Sequence, residues 1–198
     1  NGTISGATFN SDGYFDFDGV NDDVIDTGTS FLKTNDNVTL EAFFNHDSNS
    51  GSHFFLYEGE GDGFGSNVEF HLYVAGGYLA SFFKTSSGDF ALGGSGVSAA
   101  AITTGEWNHA AVTYSNLSTA SGASSKLYLN GVEIESSSGA TVDLASMPTS
   151  SLLIGRPYST SLGRRYDGQV AAVKVYNRTL SASEIKQNFN ALRGRFGI

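Results

Sequence analysis

Apolar and polar residues alternate with a period of two through most of the chain, which predicts strands rather than helices. The pattern is clearest over 106–134. Trp107-Asn108-His109-Ala110-Ala111-Val112-Thr113-Tyr114 is rich in aromatic and β-branched residues, and after a Ser/Thr/Gly loop comes Lys126-Leu127-Tyr128-Leu129-Asn130-Gly131-Val132-Glu133-Ile134-Glu135. Asn130-Gly131 predicts a two-residue type I′ hairpin turn, because both central positions need φ > 0, which Asn tolerates and Gly adopts freely. Such a turn sets Leu129 opposite Val132, Leu127 opposite Ile134 and Lys126 opposite Glu135. Apolar pairs then share one face, while Tyr128-Glu133 and Lys126-Glu135 share the other, as in a sheet with one wet side.

Further strands follow from the same alternation. Tyr14-Phe15-Asp16-Phe17-Asp18 puts Phe15 and Phe17 on one side and the acids on the other. Val38, Leu40, Ala42 and Phe44 form one apolar row, predicting a central strand over 38–44. Three more strands are expected over 53–57, 68–74 and 78–83, with Gly76-Gly77 as a tight turn between the last two. Residues 58–65 read as an acidic, glycine-rich surface loop. Short strands are expected around Phe90, around Val97, over 141–144, over 151–156 and after Tyr166. One helix is predicted: Ser181 and Glu184 form a capping box, Leu180 and Ile185 sit at staple positions, Ile185, Phe189 and Leu192 line one face, and Gly194 closes the end. Phe196 and Ile198 gain nothing in water, so the tail is expected to pack on this domain or on a neighbouring chain.

No repeat or linker divides the chain, and 198 residues suit a single domain, 1–198, of strands joined by Gly/Ser/Asn turns. The start at Asn1 rather than Met predicts a processed or partial product of a longer protein. Cysteine is absent, which favours a bacterial, phage or intracellularly assembled product over a disulfide-bearing secreted animal domain. No stretch approaches the length of a membrane span, and no signal peptide is visible. The net charge of −9 divides unevenly: 18 acids against 3 lysines over 1–155, 8 bases against 2 acids over 156–198, or −15 and +6. The acidic balance argues against non-specific nucleic-acid binding. The basic tail is expected to meet acidic loops of this molecule or of a neighbour, or to form a solvated face.

Gly105-Glu106-Trp107-Asn108-His109-Ala110-Ala111-Val112-Thr113-Tyr114 followed by Lys126–Gly131 resembles the core "GxWxHvAvTyd…lYvNG" of laminin-G-like domains in the concanavalin A-like lectin/glucanase superfamily. Residues 14–22 resemble its opening "FDGvnDyV", 38–44 its "sfTvEaWv", 151–157 its "lxIGrp" and 166–181 its closing "fxGxIDevriYnraLs". The resemblance implies an all-β, two-sheet antiparallel jelly-roll sandwich with one short C-terminal helix. Residues 187–198 also resemble the ends of such domains in structural proteins of marine bacteriophages.

Candidate chemistry is sparse. Glucan-cleaving members carry alternate carboxylates on one strand face; Glu58, Glu60 and Asp62 alternate but sit among glycines, and no enzyme is expected. The histidines His46, His53, His71 and His109 are scattered, with no metal or nucleophile spacing. The resemblance implies a structural calcium held by Asp18, Asn21, Asp22 and Asp23. The family's further Asp falls on Ala171, so Asp167 would have to stand in. The alternative is an acidic turn whose side chains cap backbone N–H groups. For glycans, Tyr57, Tyr73, Tyr78, Arg156 and Tyr158 are candidate contacts, while Trp107 reads as core. The expected function is a non-enzymatic recognition or surface-display module on a virion, a cell surface or outside the cell, binding glycans or neighbouring subunits, with no membrane insertion. A secreted bacterial carbohydrate-binding module is the alternative, and a polysaccharide-degrading enzyme the remote one.

Overall fold

The computed structural model describes residues 2–21, 23–48, 50–60, 69–84, 89–118, 122–140, 143–159 and 163–198. Its strands are β1 (Thr3–Ser5), β2 (Thr8–Asn10), β3 (Tyr14–Asp18), β4 (Val24–Asp26), β5 (Val38–His46), β6 (Ser52–Gly59), β7 (Glu69–Ala75), β8 (Tyr78–Lys84), β9 (Asp89–Gly93), β10 (Trp107–Ser115), β11 (Ala123–Leu129), β12 (Val132–Ala140), β13 (Leu153–Ile154) and β14 (Asp167–Tyr176). They form two seven-stranded antiparallel sheets, ordered β1-β4-β13-β6-β7-β8-β9 and β12-β11-β10-β5-β14-β3-β2. One helix, α1 (Ala182–Leu192), follows the last strand.

The sheets face each other because alternate residues of each are apolar. Leu40, Ala42 and Phe44 of β5 and Ala110, Val112 and Tyr114 of β10 meet Phe55, Phe70, Leu72, Val74 and Phe83 of the other sheet in one buried cluster. Phe44 and Phe55 stack across the gap with centroids 4.7 Å apart. As expected, β5 lies at the centre of its sheet. Phe17 is buried in the same cluster and Phe15 packs against it.

The hairpin turn forms as predicted, with Asn130 at φ 51° and Gly131 at φ 75°. Its register holds only for Leu129↔Val132 and Tyr128↔Glu133; beyond them Leu127 pairs with Glu135 and Lys126 with Ser136. A bulge inserts Ile134 as the extra residue of β12, and the ladder shifts by one. Lys126 Nζ therefore binds Glu133 at 2.9 Å, whereas Glu135 turns to accept from the Gly93 N–H of the other sheet.

The outer face of this sheet is not wet at its centre. Tyr128, Ala111, Leu180 and Ile185 form a buried cluster beneath α1, and Phe43, Ala171 and Phe189 form another, joined by Tyr14, Trp107, Phe196 and Ile198. The capping box is present, Ser181 N donating to Glu184 Oε2 at 2.8 Å and Glu184 N to Ser181 Oγ at 3.3 Å. Gly194 does not end the helix in a left-handed conformation; the chain tightens into a 3₁₀ turn, Arg193–Arg195, and only Gly197 takes positive φ, at 74°. The tail packs on its own domain, as one of the two expectations had it: Phe196 stacks on Phe43 at 4.7 Å and 22°.

Other differences are local. Val97 precedes a 3₁₀ turn, Ser98–Ala100, instead of sitting in a strand. Asp143 caps a second one, Leu144–Ser146, and Thr141 and Val142 of the strand expected there lie outside the described residues, as does Val68. The strand expected over 151–156 shrinks to β13, two residues long. β1, β2 and β4 were not anticipated.

Gly131 tests the hairpin. A Cβ there would lie 3.0 Å from the Phe189 ring, and positive φ penalises any β-branched residue. Gly131→Val is expected to cost about 1–3 kcal/mol in chemical denaturation, and an unchanged midpoint would contradict the turn.

Candidate functional site

The acidic turn after β3 is held by its own carboxylates. Asp18 Oδ1 accepts from the N–H groups of Val20 (2.9 Å) and Asn21 (2.8 Å), and its Oδ2 accepts from Asn21 Nδ2. Those backbone hydrogen bonds to the charged form hold the Asp18 pKa below its usual value. Asp23 is buried and its Oδ2 accepts from the Asp18 N–H at 3.2 Å. Across the ladder Asp167 pairs with Asp18. Asp16, Asp18, Asp23, Asp47 and Asp167 line one cleft of about 470 Å³. Burial, then the charge of Asp47, push the Asp167 pKa up; His53 opposes them, and Asp18 adds a smaller upward effect.

The described residues of this set, as placed, do not form a calcium cage. Among the described residues no group of three or more His, Asp or Glu side chains is gathered to hold a metal ion, and Asp18 and Asp23 are already engaged by N–H donors. Asp22 lies outside the described residues. Ala171, where the family motif puts its Asp, packs with Phe43 and Phe189 under the helix. A carboxylate there would therefore not have completed this cleft.

The expected glycan contacts separate sharply. Tyr57 is fully buried and its hydroxyl donates to Glu69 Oε2 at 3.2 Å, so it cannot serve as a platform; its neighbours Phe54 and Leu153 enclose it in a small core on the outer side of the first sheet. Tyr73 is half-buried edge-on against Phe54, its pKa pushed up to about 12 by burial. Tyr78 packs against the main core. Arg156 is a positioning residue, donating through Nη1 to the carbonyls of Pro157 (3.0 Å) and Tyr158 (3.1 Å). Of the five, Tyr158 is the large side chain left mostly in solvent, 61% exposed.

Tyr158 stands over a groove of about 260 Å³ lined by Asp26, Glu60, Thr149, Ser150, Ser151 and Leu153. Asp26 ends β4, Glu60 follows β6, and the hydroxyl residues lead into β13. Asp26 uses Oδ1 to cap Gly28 N–H at 2.8 Å. Ser150 Oγ is buried with no hydrogen-bond partner. Among the described residues the groove thus offers one aromatic ring, two carboxylates, the hydroxyls of Thr149 and Ser151 and no basic side chain.

Glu58 and Glu60 do not share a strand face as a catalytic pair would. Glu58 is buried, and its Oε1 accepts from Ser30 Oγ (2.6 Å) and Leu32 N (3.1 Å) while Oε2 accepts from Phe31 N (3.0 Å). Burial raises its pKa against those bonds. Glu58 therefore anchors the 30–32 loop, Glu60 faces the Tyr158 groove, and Asp62 lies outside the described residues.

The Laminin_G_3 family model, described as the concanavalin A-like lectin/glucanases superfamily, matches residues 18–186. The chain belongs to this family. Solved structures agree on the superfamily's fold. The receptor binding domain of botulinum neurotoxin D superposes with a TM-score of 0.68 at 12% identity, over 96% of this chain and 48% of that one. The Ruminococcus gnavus IT-sialidase CBM40, solved bound to α2,3-sialyllactose, gives 0.67 at 16% identity, over 94% of this chain and 98% of that one. A Trypanosoma rangeli sialidase gives 0.70 at 20% identity, over 98% of this chain and 30% of that one. This chain spans about half the length of the neurotoxin chains it matches. No curated protein sequence matches it.

The raised Asp167 pKa has a sign that can be measured. The folded state holds that proton more tightly than the unfolded chain does, so stability falls as pH rises through the range where Asp167 ionises. Asp167→Asn is therefore expected to raise the melting temperature at neutral pH in metal-free buffer. Calcium seated in the cleft would reverse that order, since it would stabilise the native chain by mass action and lose a ligand in the variant.

Proposed function

We propose that this domain is a non-enzymatic glycan-recognition module, and that the Tyr158 groove binds the sugar. The observation that carries the reading is the 61% exposed Tyr158 ring above a groove of carboxylates and hydroxyls. A pyranose presents an apolar face to an aromatic ring and a rim of hydroxyls that donate to carboxylates. Asp26 and Glu60 supply carboxylate acceptors in the groove's lining. With two carboxylates and no cation in the lining, the groove favours neutral sugars over acidic ones. Membership of a lectin/glucanase superfamily supports the reading, as does a neighbour solved with sialyllactose, although the groove's charge argues for a different sugar class here.

The setting is a virion or cell surface, including a secreted carbohydrate-binding module that reaches one. Membership of the lectin/glucanase superfamily, together with neighbours from a neurotoxin receptor binding domain and a CBM40, supports the coarser part of this setting, an extracellular or surface module. No helix among the described residues is long and apolar enough to cross a membrane.

A glycan array should give hits among neutral glycans. Tyr158→Ala is expected to weaken binding to them at least about tenfold, or about 1.4 kcal/mol, and to leave the melting temperature unchanged, because an exposed side chain away from the core contributes little to stability. Native affinity in the folded variant, or an array without hits, would refute the assignment.

A further inference from the structure

Trp107 is the single tryptophan of the chain, and the structure places it at a second cleft, away from Tyr158. The cleft, of about 460 Å³, is lined by Asp12, Tyr14, Trp107, Arg195 and Phe196. It is assembled from three separate places in the chain: the turn between β2 and β3 with the first residue of β3, the first residue of β10, and the tail after α1. Phe196 lies against Trp107 with centroids 4.5 Å apart at 39°, and Tyr14 meets the indole edge-on at 5.6 Å. All three rings are half-buried, so each keeps part of its surface in solvent.

The charged groups at the mouth are held apart. Arg195 Nη2 donates to the carbonyls of Asp12 (2.6 Å) and Gly13 (3.3 Å), which fixes the guanidinium beside the turn. Arg195 Cζ also sits 5.3 Å from the centroid of the Phe196 ring. The Asp12 carboxylate makes no hydrogen bond or ion pair among the described residues, although its backbone carries the Arg195 contact. Packing explains the buried sides of Trp107 and Phe196. It does not explain why three partly exposed aromatic rings line one cleft with a fixed donor, Arg195, and a carboxylate, Asp12, that makes no hydrogen bond or ion pair among the described residues.

We infer that this cleft is a second sugar site, in which a pyranose lies on the Trp107–Tyr14–Phe196 surface while adjacent hydroxyls donate to the Asp12 carboxylate and accept from Arg195. The ligand class rests on the glycan reading above, but the site does not share a residue with the Tyr158 groove. An aromatic surface with a few placed polar groups is the usual make-up of a small-ligand site. Having both a charged donor and a charged acceptor, the cleft matches the mixed donor and acceptor character of a sugar's hydroxyls, whereas the Tyr158 groove offers carboxylates and hydroxyls only. Burial, then the charges of Asp16 and Asp12, raise the Tyr14 pKa.

The lone tryptophan reports on this cleft directly. Titrating the full chain with lactose, cellobiose and maltose, each at up to millimolar concentration, should shift or quench Trp107 emission for at least one of them. That response should survive Tyr158→Ala and weaken at least fivefold in Asp12→Asn, which keeps the turn's backbone and shape. Arg195→Ala should weaken it as well, with the melting temperature recorded to separate lost binding from a loosened tail. Calorimetric binding that depends on Tyr158 without any change in Trp107 emission would overturn the second site and leave the first. An emission change that persists in Asp12→Asn would overturn it too, and an absence of binding by either readout would overturn both.

Discussion

Strand β5 must be buried on both faces, and most of the molecule is arranged to meet that requirement. Its inward row, Val38, Leu40, Ala42 and Phe44, enters the core between the sheets. Its outward row, Thr39, Glu41 and Phe43, is equally buried, so two polar side chains there need partners. Thr39 Oγ1 donates to the Arg178 carbonyl and accepts from Leu180 N–H, each at 2.9 Å. Glu41 Oε1 accepts from Asn188 Nδ2 at 2.8 Å, and its Oε2 lies 3.6 Å from His109 Nε2 and 4.0 Å from Lys174 Nζ. Phe43 is closed over by Phe196. The segment from Arg178 to Phe196 is thus the lid of the central strand, and the C-terminal helix is part of the core rather than an appendage.

That double burial also marks where the sequence stops being legible. The inward row of β5, the Asn130-Gly131 turn and the capping box at Ser181 all depend on neighbours within a few residues, and all form as read. The outer face did not, because whether a sheet face is wet depends on what another part of the chain lays over it. Tyr128 alternates like a solvent-facing residue and is 1% exposed. The slip at Ile134 has the same origin: the turn fixes the first two pairs, but a bulge further along satisfies contacts with the other sheet, including Glu135 to Gly93, that no local pattern records. β1, β2 and β4 are three residues each, too short for a period of two to register, and exist because partner strands complete their ladders.

The candidate sites follow the same division. Tyr158 could be found from sequence, since an aromatic residue beside Pro157 in a Ser-rich loop has few apolar neighbours to bury it. Tyr57 could not be separated from it, because only the outer core of Phe54, Val24 and Leu153 shows that its ring is enclosed. Asp26, Glu60 and Ser150 are far apart in sequence and are brought together only by the neighbouring ends of β4, β6 and β13. Trp107 was read as core because it opens a central strand, yet its position at the strand's end leaves part of the ring uncovered. The signal available was its singularity beside a tail whose Phe196 needed somewhere to pack.

The charge asymmetry acquires a meaning once the tail is placed. Arg178 binds Glu184 at 2.7 Å, Lys174 approaches Glu41, and Arg195 clasps the carbonyls of the β2–β3 turn, so part of the basic segment is spent within the domain. The acids at the Tyr158 groove are not neutralised in this way, nor is the Asp12 carboxylate. An open groove that held a monosaccharide by one ring face and a few hydrogen bonds would bind it weakly once the cost of ordering the ligand is subtracted. If both proposed sites bind sugar, that arithmetic changes, because a branched or repeating glycan engaged at one would present its next unit at high effective concentration to the other. The gain requires the sites to be held rigidly with respect to each other. The lid over β5 supplies that rigidity, since the packing of Phe196 on Phe43 both shapes the Trp107 cleft and fixes it to the central strand of the sandwich.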